Sequence, residues 1–193
     1  MRIYLVTDER LLLGKDLYRT VEAAVKGGVS MVQLREKESS TREFVERAIR
    51  LKEVLTPYGV PLIINDRVDV ALAANADGVH VGQSDMPYEM VKRLLPEGKI
   101  IGLSVESPEQ VLEANNYDLD YVAASPVFST TTKTNTIVEW GLDGLRWIRS
   151  VSRHPLVAIG GIHSNNVASI CKAGADSVAV ISAIVSADDP ERA

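Results

Sequence analysis

Three observations predict an α/β protein folded as a (β/α)8 barrel. Short apolar, β-branched runs alternate strictly with longer amphipathic runs, eight of the short runs can be counted, and the first is not followed by a glycine-rich turn. Strict alternation implies parallel strands covered by helices. Eight such units in 193 residues suit a barrel on the small side of its range. The rival arrangement, an open doubly wound sheet, would want glycines in its first turn, and "VTDERLLLGKD" does not supply them.

The strand segments, in order, are "RIYLVT", "MVQLRE", "PLIIN", "GVHVG", "KIIGLSV", "YVAASPV", "PLVAIGG" and "SVAVIS". "IYLV" and "VAVI" are continuous β-type runs, whereas "VEAAV" and "FVERAIRLKEVL" space their apolar residues as a helix does. The helical segments are "LYRTVEAAVKGG", "TREFVERAIRLKEVLTPYG", "RVDVALAANA", "YEMVKRLLP", "SPEQVLEANN", "GLDGLRWIRSVS" and "NNVASICKAG". "KGGVSMVQLRE", "AANADGVHVGQ" and "CKAGADSVAVIS" recur as helix end, turn and strand, which reads as the repeated barrel unit. At the carboxyl end, Asp189 as N-cap with Pro190 and Glu191 behind it predicts a helix start, so the last helix is expected to be incomplete. With no linker or low-complexity segment, residues 1–193 are expected to form one domain.

Composition narrows the function classes. The chain is 46% hydrophobic and 24% charged, ordinary for a globular protein, and its net charge of −5 gives no sign of nucleic-acid binding. Its one cysteine, Cys171, rules out an internal disulfide and a cysteine zinc cage; in "NNVASICKAG" it reads as a small core residue. "MRIYLVTD" is too short for a secretory signal, and no apolar stretch is long enough to span a bilayer. The expected location is the cytoplasm, with no membrane partner.

In a barrel the active site lies at the C-terminal ends of the strands. In "VQLREK" the residues Gln33, Arg35 and Lys37 alternate with Val32, Leu34 and Glu36. With Val32 and Leu34 suited to the layer beneath the helices, the polar three are expected to face the barrel interior. Buried cations cost several kcal/mol each unless an anion meets them. That anion would be a phosphorylated ligand or, alternatively, an internal salt-bridge network with Asp66 or Asp85. Asn65 and Asp66 end the third strand, where "NDR" also fits a helix N-cap, and Asp85 follows the fourth. Two carboxylates in oxygen-rich company suit a hard cation such as Mg2+. His80 is expected to line the pocket, with Ser104 near the rim. Thr130, Thr132 and Lys133 in "FSTTTKTN" can donate to phosphate oxygens. Gly160 and Gly161 in "AIGGI", with Ser182 and Ala183 in "VISAI", occupy the usual slot of a barrel phosphate site. Two anion sites facing one pocket, with no nucleophile or acid/base pair evident, suggest displacement of a phosphate-type leaving group.

"QLREK", "INDRVDVALAANADGVHVGQSD", "GLSV", "SPVFSTTTKT", "AIGGI" and "GADSVAVISAI" resemble, in order and spacing, the thiamine-phosphate synthases, and the resemblance covers nearly the whole chain. It implies an enzyme that joins a hydroxymethylpyrimidine diphosphate to a thiazole phosphate, releasing diphosphate with the help of Mg2+. It implies that Arg35, Lys37, Asn65 and Lys133 hold the diphosphate, and that Asp66 and Asp85 hold Mg2+. Gln33 and Ser104 would contact the pyrimidine diphosphate, while Thr130, Thr132, Gly161 and Ser182 would receive the thiazole phosphate. Arg35, Lys37 and Lys133 would be the catalytic residues of a dissociative reaction, and a homodimer is compatible with the resemblance. Three features depart from it: Glu106 where many relatives carry histidine, Trp140 where a smaller aliphatic residue is usual, and the short carboxyl end. Alternative readings are a thiazole tautomerase, a sugar-phosphate isomerase with a carboxylate base, and a non-catalytic phospho-ligand-binding protein.

Overall fold

The computed structural model describes residues 2–129 and 139–193. Eight parallel strands close into a barrel in sequence order: β1 Arg2–Val6, β2 Val29–Leu34, β3 Leu62–Asn65, β4 Gly78–Val81, β5 Ile100–Val105, β6 Tyr121–Ala124, β7 Leu156–Ile159 and β8 Ser177–Val180, with β8 pairing back onto β1. The helices α1 Leu17–Lys26, α2 Thr41–Leu55, α3 Val68–Ala73, α4 Tyr88–Leu94, α5 Pro108–Ala114, α6 Gly141–Val151, α7 Val167–Lys172 and α8 Ser182–Val185 follow the strands in turn. The expected alternation is therefore observed throughout. No helix among the described residues is long and apolar enough to cross a membrane.

Local chemistry sets the helix starts. Ser40 and Glu43 form a reciprocal capping box on α2, and the Asp16 carboxylate accepts the Arg19 N–H at 2.9 Å to open α1. Ser107 caps α5 with Pro108 in the first turn, where a missing N–H costs nothing.

The strands divide the apolar residues into two cores. Leu5, Val32, Leu34, Leu62, Ile64, Val79 and Val81 point outward and pack under the helices. Tyr4, Val6, Ile63, Tyr121, Ala123, Val157 and Ala179 fill the inside. Gln33 falls in the inward phase, as its spacing predicts. Arg35 and Lys37 do not sit on the strand, because β2 ends at Leu34. The loop beyond it carries both cations to the rim, so the expected burial of two cations inside the barrel is not what the chain does. Cys171 is half-buried on α7 and packs against the outer core.

The carboxyl end differs from expectation in detail. After β8 comes the single turn of α8, and the segment at Asp189 makes one turn in which the Arg192 N–H donates to the Asp189 carbonyl at 3.2 Å. The tail packs on the first βα unit. Ser186 Oγ donates to the Leu11 carbonyl, Lys15 Nζ donates to that of Ala187, and a β-carbon on Gly27 would lie 2.1 Å from the Glu191 carbonyl oxygen.

Candidate active site at the C-terminal rim

A cavity of about 910 Å³ opens at the C-terminal ends of the strands. Of the residues singled out in the sequence, Gln33, Arg35, Lys37, Asn65, Asp66 and Asp85 line one side of it. Ser104, Gly161 and Ser182 complete the far side, with Gly160 and Ala183 beside them. Residues from six strand ends thus meet in one space. Thr130, Thr132 and Lys133 lie outside the described residues; Ser129, the last before them, lines the same cavity.

The rim cations already have partners. Arg35 Nη1 donates to Asp8 Oδ2 at 2.6 Å, and its backbone N–H donates to Thr7 Oγ1. Lys37 Nζ donates to Asp66 Oδ2, so the salt-bridge reading is realised for this pair. With the Lys37 side chain half exposed, that pair is solvent-screened and open to exchange for another anion. Glu36, between the two cations, turns the other way: its carboxylate is 3% exposed and accepts from Arg47 Nη1 and Ser39 Oγ, both at 2.7 Å. Burial pushes the Glu36 carboxyl up, against the pull of Ser39 and Arg47. This anchor fixes the phase that sends Arg35 and Lys37 to the cavity.

Asp66 is not the N-cap of α3, a place taken by Arg67 without a side-chain bond. It adopts φ 61°, an uncommon conformation for a residue with a β-carbon, while its N–H donates to the His80 carbonyl at 2.8 Å. The tight turn aims its carboxylate into the cavity and toward Asp85. Asp85 is anchored by the Gly82 N–H, which donates to its Oδ2 at 2.7 Å. Burial, and then the neighbouring Asp66 carboxyl, push the Asp85 carboxyl up from its ordinary value. Two facing carboxylates of this kind are a donor set for a hard cation. No cluster of three or more His, Cys, Asp or Glu suited to a metal exists among the described residues, so such an ion would complete its shell with water and ligand oxygens.

Across the cavity, Gly160 and Gly161 have φ 102° and 63°. A β-carbon on Gly160 would lie 2.6 Å from Pro126 Cβ, and one on Gly161 2.8 Å from Phe128 Cβ, so this turn packs directly under the loop that leaves β6.

Beneath the cavity runs a polar chain that the sequence reading missed. Gln33 Nε2 donates to Tyr4 Oη at 2.6 Å, the Tyr4 and Tyr121 hydroxyls are 2.9 Å apart, and Tyr121 Oη is 3.0 Å from His80 Nδ1. His80 Nε2 is 2.9 Å from Ser104 Oγ, and the His80 and Tyr121 rings stack at 5.6 Å. Burial pushes both phenols well above their usual range, which keeps them protonated. The available signal was Gly102, a glycine inside a strand run, which marks a close approach. A β-carbon there would lie 2.1 Å from Tyr121 Cζ. Trp140, a departure in the sequence, stacks on Trp147 and donates its Nε1–H to the Val105 carbonyl at 3.1 Å, so its bulk is spent on packing beside β5.

A closed parallel barrel with cations, paired carboxylates and a glycine turn around one rim cavity defines a phosphate-ligand barrel enzyme. The family model described as thiamine monophosphate synthase matches residues 3–184, and the chain belongs to that family. It is 53% identical to the thiamine-phosphate synthase of Albidiferax ferrireducens over 98% of this chain and 87% of that one. It is 50% identical to the thiamine-phosphate synthase of Vibrio campbellii over 100% and 94%. The solved thiamine phosphate pyrophosphorylase from Pyrococcus furiosus superposes with a TM-score of 0.90 at 41% identity, covering 100% of this chain and 91% of that one.

Proposed function

We propose that the chain joins a hydroxymethylpyrimidine diphosphate to a thiazole phosphate, giving thiamine phosphate and free diphosphate. The observation that carries this reading is the meeting in one cavity of a cation-and-carboxylate side, Arg35, Lys37, Asp66 and Asp85, with a phosphate-type glycine turn opposite at Gly160–Gly161. One side suits the departing diphosphate and the other the phosphate of the second substrate.

The reaction breaks the bond between the pyrimidine methylene carbon and the diphosphate oxygen, and the electron pair leaves with diphosphate. The thiazole nitrogen lone pair then forms the new carbon–nitrogen bond. That nitrogen carries no proton, so no base is needed. Arg35 and Lys37 stabilise the charge growing on the leaving group, with Lys133 from the loop after β6 assigned the same task by the family resemblance. Lys37 would release Asp66 as diphosphate arrives, exchanging one anion for another. Asp66 and Asp85 would hold Mg2+, whose part is to neutralise charge on diphosphate oxygens. Asn65 and Ser104 complete the diphosphate and pyrimidine contacts, and Thr130, Thr132, Gly161 and Ser182 receive the thiazole phosphate. The setting is the cytoplasm, and a homodimer is the expected assembly.

The test is diphosphate release from the pyrimidine diphosphate, with and without thiazole phosphate and Mg2+. Release that requires both, with thiamine phosphate formed, supports the reading. A folded protein that binds thiazole phosphate and releases nothing overturns it in favour of a tautomerase or a binding protein. In an active enzyme, Lys133→Ala is expected to lower kcat by roughly 100-fold, more than it weakens thiazole phosphate binding. A loss confined to KM would remove Lys133 from the chemical step.

A further inference from the structure

Four of the five groups in the buried polar chain line the cavity: Gln33, Tyr4, His80 and Ser104. Tyr121 does not. It is 4% exposed, and its hydroxyl links the Tyr4–Gln33 half to the His80–Ser104 half. The barrel has given up a side chain to admit it. Gly102 faces His80 on one neighbouring strand and Tyr121 on the other, and a β-carbon there would lie 2.3 Å from the Tyr121 hydroxyl.

Counting protons shows what the link does. Each phenol has one hydrogen to give, serine has one, and a neutral imidazole donates from one nitrogen and accepts at the other. A hydroxyl oxygen can accept twice, so the His80 tautomer decides how much of the chain is fixed. With the hydrogen on Nε2, Tyr121 donates to His80 Nδ1, so Tyr4 donates to Tyr121 and Gln33 to Tyr4, while His80 Nε2–H donates to Ser104 Oγ. Ser104 keeps its hydrogen for the cavity, and Gln33 turns its carbonyl there. With the hydrogen on Nδ1 instead, Ser104 spends its hydrogen on Nε2, and Gln33 can either donate to Tyr4 or accept from it. Only the first pattern leaves the Ser104 hydrogen to the cavity and fixes Gln33 as the donor to Tyr4.

Acid–base strength selects between the directions. Phenol is a better donor than a serine hydroxyl, and an imidazole nitrogen is a better acceptor than a phenol oxygen. The first direction uses both preferences in its Tyr121-to-His80 link, and it contains the 2.6 Å contact of Gln33 Nε2 with Tyr4 Oη.

We propose that Tyr121 is a positioning residue that sets the direction of this chain, so that the cavity floor offers an acceptor at Gln33 and a donor at Ser104. The floor then selects a ligand with an N–H donor on the Gln33 side and an acceptor oxygen or ring nitrogen on the Ser104 side. The ligand's identity as an aminopyrimidine rests on the function proposed above; the direction of the chain does not.

The direction is read without turnover, from the ¹⁵N shifts of the imidazole at pH 8. The chain has three histidines, and a His80→Asn variant assigns the His80 signals. The expected result is the Nε2–H tautomer in the unaltered protein, moving toward Nδ1–H in Tyr121→Phe, which keeps the ring that fills the space over Gly102. An Nδ1–H tautomer in the unaltered protein, or one unmoved by Tyr121→Phe, overturns the proposal. In steady-state assays Tyr121→Phe is expected to raise KM for the pyrimidine diphosphate by roughly five- to tenfold, with KM for thiazole phosphate unchanged. Equal rises in both, or none, would make Tyr121 a packing residue only. Should Tyr121→Phe fail to fold, Tyr4→Phe cuts the chain beside Gln33. It is expected to keep the His80 tautomer and raise the same KM, and a changed tautomer there would count against the assigned direction. If the unaltered protein releases no diphosphate, the function proposed above fails while the tautomer still decides this inference.

Discussion

The two ends of the barrel use aspartate in opposite ways. At the N-terminal end, Asp77, Asp120 and Asp176 stand just before β4, β6 and β8. Each donates its backbone N–H to a carbonyl at the start of the preceding strand, on Leu62, Ile101 and Leu156, at 2.8, 3.0 and 2.9 Å. Each also accepts that same residue's N–H on Oδ2, at 2.8 Å in all three cases. These are clips that fasten one strand to the next. At the C-terminal end, Asp66 sits in a left-handed turn, faces Asp85, and is met by the side chain of Lys37. One end fastens each carboxylate to two backbone groups of the neighbouring strand; the other sets two carboxylates face to face, one met by Lys37 and one by the Gly82 N–H. The difference is the division of labour general to this fold, where one face serves stability and the other chemistry.

The largest effect that would sharpen this contrast is expected from Asp85→Asn. If Asp85 holds Mg2+ as proposed, the change should cut kcat/KM by roughly 100-fold and raise the Mg2+ needed for half-maximal rate. The melting temperature should hold steady or rise, since the variant relieves a buried carboxyl crowded by Asp66. A falling melting temperature with an unchanged metal titration would place Asp85 among the clips.

Next in size is Arg47→Met, which tests a rim carboxylate that is buried for structure, as the clips are, but satisfied by side chains instead of backbone. Glu36 is buried and loses its counter-cation, a change worth about 2 kcal/mol for a partly exposed arginine. The melting temperature should fall by roughly 4–8 °C near neutral pH. The sign with pH follows from the Glu36 carboxyl being raised in the fold: the folded state holds its proton more tightly, so the variant loses stability as pH rises through that raised value. The deficit should therefore shrink toward pH 5. KM for the pyrimidine diphosphate should rise a few-fold as the Arg35–Lys37 loop loosens. A pH-independent deficit would show that Arg47 acts through packing alone.

The sequence revealed the barrel well because apolar period and alternation are local signals, and the strand ends placed Gln33, Asn65, Asp85 and Ser104 at the cavity they do line. It did less well wherever the answer depended on pairing across strands. The run "QLREK" alternates as a strand would, yet β2 stops at Leu34 because Glu36 finds Arg47 on α2 rather than a neighbouring strand. For Asp66 in "NDR" the sequence left a cavity carboxylate and a helix cap both open, and the left-handed turn that decides against the cap is not visible in it. Tyr4 and Tyr121 looked like apolar strand residues. Their hydroxyls meet only when β1 and β6, 117 residues apart in sequence, curve toward each other inside the closed barrel. The helix-turn-strand repeat was visible in "AANADGVHVGQ" and "CKAGADSVAVIS", but the clips at Asp77 and Asp176 need a partner strand that sequence does not show.

The smallest predicted effect isolates that clip. Asp77→Ala removes the acceptor for the Leu62 N–H, and an orphaned, partly buried N–H costs about 1–2 kcal/mol. The melting temperature should drop by roughly 2–6 °C. Asp77→Asn keeps an oxygen at the same place and gives up only the charge, with its 2.8 Å contact to Lys52 Nζ. Lys52 and Asp77 are both partly exposed, so that pair contributes little and the Asn variant should recover most of the loss. Neither variant should change KM for either substrate, because Asp77 lies at the far end of the barrel from the cavity. Equal destabilisation by Ala and Asn would assign the stability to the Lys52 ion pair instead of the backbone clip. A shift in KM without a shift in melting temperature would mean that the two ends of the barrel communicate, and the separation of stability from chemistry would not hold for this chain.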